Sequence, residues 1–151
     1  MPYGQAKEIL DYARNFHCQV SDFYQQLADK AQSARVKLLL DYLIRHEKHL
    51  AKALEDFEQS VSSQALNTWY QYSQEQRTFA PLDAIKYSPT MTVDDVLKIG
   101  QTIDNCLIAS YKGVAETAST AEVREIFENL LQMEEQEKHV KARMALGITD
   151  M

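Results

Sequence analysis

A chain of 151 residues is long enough to bury a core as one domain without disulfides or structural metals, and its 45% hydrophobic and 25% charged content is ordinary for a globular protein. A net charge of −6 with no basic run argues against nucleic acid and anionic membrane surfaces as partners. No apolar stretch reaches the roughly 18 residues a membrane span needs, and "MPYGQAKEIL" does not read as a signal peptide, so the expected address is the cytoplasm.

Four glycines and three prolines are few for this length and favour long helices over a turn-rich β fold. The first helix carries an apolar seam at Ile9, Ala13, Phe16, Val20, Phe23 and Leu27, stepping by four and three. After a short turn near "KAQSAR", a second seam runs through Val36, Leu39, Leu43, Leu50, Ala53 and Phe57, with His46 counted into it. Residues 58–92 form a long connection containing Pro81 and Pro89. Within it "SSQALNTWYQYSQEQ" reads as a short extra helix with Leu66, Trp69 and Tyr70 on one side. A third helix is expected through Val93, Val96, Gly100, Ile103, Leu107, Ser110 and Val114, opened by a Thr92/Asp95 capping box. A fourth follows Thr120, through Val123, Ile126, Leu130, Met133, Val140 and Met144, with Gly147 as its expected stop. The prediction is an all-α four-helix bundle: one domain over residues 1–151, two antiparallel hairpins joined by a long crossover with a short extra helix. Cys18 and Cys106 form no C-x-x-C pair, face away from the neighbouring candidate ligands and are expected to be small buried hydrophobes.

The two hairpins also resemble each other. "HCQVSDFYQQLADKA" aligns with "DNCLIASYKGVAETA", pairing Tyr24 with Tyr111 at an offset of 87. "YLIRHEKHL" aligns with "LQMEEQEKHV", pairing Glu47-Lys48-His49 with Glu137-Lys138-His139 at an offset of 90, the difference being assigned to the hairpin turn.

On these landmarks residues 6–57 and 93–145 resemble the rubrerythrin branch of the ferritin-like superfamily. That family places a Glu seven residues before a Tyr on helices one and three and an E-x-x-H on helices two and four, the six side chains converging on two metal ions. Laid on this chain, the pattern falls on His17 (seven before Tyr24), Asp104 (seven before Tyr111), His46 and His49, and Gln136 and His139. Every pattern glutamate is then missing, while all four histidines of the chain occupy pattern positions. The resemblance therefore implies a carboxylate-poor site in the bundle core, with His17, His46, His49, Asp104 and His139 as ligands. Gln136 would serve as a weak ligand or water anchor, and Tyr24 and Tyr111 would pack behind them. Nitrogen-rich donors suit zinc or iron, one or two ions per chain. Whether such a protein is an enzyme stays open, because fold alone licenses no activity.

Two alternatives stand beside this one. Glu47 lies near the second seam on the opposite flank from His46; it and its counterpart Glu137, if turned inward, would make a di-iron oxidoreductase. Glu135, four residues before His139, is a further candidate neighbour. A bundle with no metal at all, acting through its surface as a structural or interaction protein, is the other. The aromatic segment "NTWYQY" or the helix faces are expected to support a homodimer.

Overall fold

The computed structural model describes residues 3–67, 69–71, 82, 85 and 88–149. In chain order these form β1 (Tyr3–Gln5), α1 (Ala6–Lys30), α2 (Ala34–Ser60), α3 (Ser63–Leu66), β2 (Trp69–Gln71), α4 (Val93–Thr117) and α5 (Ala121–Thr149). Helices α1 and α2 pack as one hairpin and α4 and α5 as another; α2 also touches both helices of the second hairpin. The result is the expected four-helix bundle. No helix among the described residues is long and apolar enough to cross a membrane.

Every helix except α1 begins where a short polar side chain can satisfy its first free N–H groups. Ser33 Oγ accepts from the Val36 amide at 3.3 Å, and Thr120 Oγ1 accepts from the Val123 amide at the same distance. At α4 the capping box is complete: Asp95 N donates to Thr92 Oγ1 (3.1 Å), and Thr92 N donates to Asp95 Oδ2 (3.0 Å).

The core is filled along α1 by Ile9, Ala13, Phe16, Val20, Tyr24 and Leu27, and along α4 by Val96, Ile103, Leu107, Tyr111 and Val114. On α2 and α5 the buried column departs from the predicted one. It runs through Leu43, Glu47, Leu50 and Leu54 on α2, and through Phe127, Leu130, Glu134, Lys141, Ala145 and Ile148 on α5. Ile126, Met133 and Val140 flank that column, and Met144 is 39% exposed. Following apolar residues alone led into the neighbouring column, because charged side chains hold core positions in these two helices.

Three local expectations are corrected. The extra helix is a single turn, Ser63–Leu66, and Trp69–Gln71 instead pairs antiparallel with Tyr3–Gln5, in the register Tyr3↔Gln71, Gly4↔Tyr70 and Gln5↔Trp69. The remainder of that predicted segment, 72–76, and Pro81 lie outside the described residues. Gly147 does not stop α5, which continues to Thr149; no glycine among the described residues has a positive φ. Cys18 is exposed and Cys106 half-buried, so neither is the fully buried hydrophobe expected.

Candidate metal centre

Midway along the bundle each long helix contributes charged or ionisable side chains that are almost wholly buried. They are His17 from α1, Glu47 from α2, Asp104 from α4, and Glu134 and Lys141 from α5, none more than 3% exposed. A seven-residue spacing brings two side chains to one helix face, which explains three pairs: His17 with Tyr24, Asp104 with Tyr111, and Glu134 with Lys141. Both tyrosines are completely buried.

His17 stands between two glutamates. Its Nδ1 lies 2.5 Å from Glu47 Oε2 and its Nε2 3.1 Å from Glu134 Oε1. Lys141 makes a second bridge, donating from Nζ to Glu47 Oε1 and to Asp104 Oδ1, each at 2.9 Å. Glu47 thus joins the two halves of a network that ties all four helices together.

Burial penalises every charge here, so the partners decide protonation. For His17 burial lowers the pKa, but hydrogen bonds and charge from Glu134 and Glu47 more than reverse that and raise it to about 9. Burial pushes Glu47 up, yet the His17 hydrogen bond and the Lys141 charge bring it down to about 2. Asp104 shares Lys141 but has no imidazolium beside it; burial dominates and its pKa rises to about 6. Burial also works against Lys141, and Glu47 and Asp104 together hold it above its usual value. At neutral pH Glu47 is therefore ionised and His17 and Lys141 are both cations.

Three buried polar atoms at this level have no hydrogen-bond partner among the described residues: Glu134 Oε2 and the hydroxyls of Tyr24 and Tyr111. Burial, then the neighbouring carboxylates, raises both tyrosine pKa values well above the ordinary one, so the hydroxyls keep their protons. The Tyr24 hydroxyl reaches α4 at Gly100, where an added Cβ would sit only 3.2 Å from it.

The predicted residues divide sharply. His17, Asp104, Glu47, Tyr24 and Tyr111 come together in the core. His46 sits at its rim, stacked on Tyr42 with ring centroids 5.6 Å apart. Its Nε2 is 2.9 Å from Glu137 Oε2, an ion-pair distance without hydrogen-bond alignment, and Glu137 is 27% exposed. His49, Glu135, Gln136 and His139 are exposed, so the expected convergence of four histidines does not occur. Among the described residues no three His, Cys, Asp or Glu side chains are gathered as a preformed ligand cage.

Glu134 and Lys141 are the residues that sequence reasoning missed, and a constant offset would have found the first. The same 87 residues that relate Tyr24 to Tyr111 relate His17 to Asp104, the caps Ser33 and Thr120, and Glu47 to Glu134. Both hairpin turns have three residues, 31–33 and 118–120, leaving no room for the offset of 90. In this register the family pattern on helices two and four reads Glu47-x-x-Leu50 and Glu134-x-x-Glu137. Both pattern glutamates are present and both pattern histidines absent, the reverse of the sequence expectation.

The comparisons agree with the fold. A family model described as Rubrerythrin matches residues 8–144. A crystal structure from Thermotoga maritima, of a protein described as ferritin-like and diiron-carboxylate, superposes with a TM-score of 0.67 at 14% identity, covering 96% of this chain and 97% of that one. No curated protein matches.

Proposed function

Given that the chain belongs to the rubrerythrin family, we propose that it binds a single divalent metal ion, iron foremost, at Glu134 and the His17 nitrogen that faces it, with Glu47 orienting the imidazole through its other nitrogen. The orphaned Glu134 Oε2 carries this reading. A fully buried carboxylate oxygen with no donor is costly, and a cation is what satisfies it.

A two-ion centre does not fit the residues present. The place between Glu47 and Asp104 is taken by the Lys141 ammonium, and Leu50, one turn beyond Glu47, offers no donor atom. One ion does fit. Loss of the His17 proton frees an imidazole nitrogen, and a divalent charge with Lys141 then balances the three carboxylates. A carboxylate and an imidazole suit iron, with zinc as the redox-inert competitor. When bound, such an ion supplies Lewis acidity and, if iron, one-electron chemistry. The chain supplies apolar walls that exclude water, His17 as the group that exchanges a proton for the ion, and two tyrosine hydroxyls as donors at the site's edge. Whether a reaction follows is a question for the site and not the fold.

Elemental analysis of untagged protein purified without chelator tests the proposal. We expect about one equivalent of metal per chain, kept in His49→Ala and His139→Ala, whose side chains lie at the surface, and lost in Glu134→Gln. Two equivalents, or retention in Glu134→Gln, would contradict it. A metal-free wild type would favour the second reading, an interaction protein with an ionic core; the pairing of His17 and Lys141 with carboxylates supports that alternative.

A further inference from the structure

We propose that Lys141 is a built-in cation that permanently holds the Glu47–Asp104 half of the core and so limits the site to one metal ion. The repeat makes the argument. At an offset of 87, Asp104 is the counterpart of His17, and Glu47 the counterpart of Glu134. His17 faces both glutamates, so a symmetric core would turn Asp104 toward the same pair. Asp104 is an acid, however, and an unscreened approach to Glu47 would set two buried carboxylates against each other. Lys141 Nζ, 2.9 Å from an oxygen of each, lies between them where the repeat has no equivalent. Its own counterpart on α2 is Leu54, buried and apolar. The two halves of the core therefore differ in what stands between their carboxylates: an imidazole ring in one, a tethered ammonium in the other.

A small cleft adjoins this ammonium. It lies between α2, α4 and α5, is lined by Leu39, Leu43, Val96, Asp104, Lys138 and Lys141, and has room for about one water (about 10 Å³). A small ion thus has an approach to Asp104, and Lys141 is what occupies the place. Without the lysine side chain, Glu47 Oε1 and Asp104 Oδ1 lose their shared donor beside newly opened volume, which is what a divalent ion requires.

The inference extends the single-ion reading to the other half of the same core, and the experiment separates the two. Wild type and Lys141→Ala are stripped with chelator, dialysed against Zn²⁺, and analysed for metal, with circular dichroism reporting helicity. We expect Lys141→Ala to bind one equivalent more than wild type and to gain melting temperature on adding Zn²⁺. Lys141→Ala/Asp104→Asn should lose that gain. The wild-type count, one or none, judges the single-ion reading; the difference between variant and wild type judges Lys141. Lys141→His, which keeps an N–H donor, stands in where the alanine variant is unfolded without metal, and it too should take the extra ion. Folded variants binding no more Zn²⁺ than wild type, or an alanine variant that Zn²⁺ does not refold, would overturn the assignment.

Discussion

His17 illustrates how far one residue's setting can depart from its composition. A histidine on an apolar helix face is ordinarily neutral, yet between Glu47 and Glu134 it is an imidazolium with a pKa near 9. Because the folded value lies above the unfolded one of about 6.5, its stabilisation is fully present below pH 6.5 and is lost as pH rises through 9. For metal-stripped protein we expect the unfolding free energy from urea titration to fall across that window, by on the order of 3 kcal/mol at most, and to fall much less in His17→Gln. Glu47 acts in the opposite sense at the acid end, its contribution present above about pH 4.5 and lost as pH drops toward 2. A midpoint flat from pH 6 to 10 would refute the imidazolium. At this scale the sequence was only partly legible. His17, Asp104 and both tyrosines stood out through their seven-residue spacing. Glu134 and Lys141 did not, since a charged residue on a helix is ordinarily solvated and only partners on other helices make its burial tolerable.

At the level of the helices the sequence was a better guide. Thr92 and Thr120 announced their helix starts, because an N-cap depends on a side chain only two or three residues from the amide it satisfies. The end of α5 was misjudged. Gly147 lies inside the helix with open space around its Cα, so its lack of a side chain costs helix propensity and gains no turn. Gly147→Ala should therefore stabilise the protein by about 0.5–1 kcal/mol. For a chain of this size that is a rise of roughly 1–4 °C in melting temperature by calorimetry. An unchanged or lower value would place the true helix end before Gly147. The β1–β2 ribbon was invisible beforehand for another reason. Its two three-residue strands are 64 positions apart from Gln5 to Trp69, and no local pattern foretells such a pairing.

For the molecule as a whole, bundle, hairpins and crossover followed from helix count and connection length. The site did not follow, because a slip of one position on α2 and of two on α5 exchanges the buried Glu47 and Glu134 for His46 at the rim and Gln136 at the surface. A bound ion should register globally: one that binds only the folded chain stabilises it by about 2.7 kcal/mol at a hundredfold excess over Kd. Chelator should accordingly lower the melting temperature by roughly 5–11 °C, and an identical transition with and without it would count against a resident metal. The ionic core also bears on how the chain assembles. His17 finds its partners on α2 and α5, and Lys141 on α2 and α4, so neither hairpin alone completes either set. The hairpins can each form early from local contacts, but their union must dehydrate three carboxylates and two cations in one step. A union one helical turn out of step would strand at least one of those charges in oil-like surroundings. The network thus proofreads helix register, admitting only the alignment in which every charge meets its counterpart.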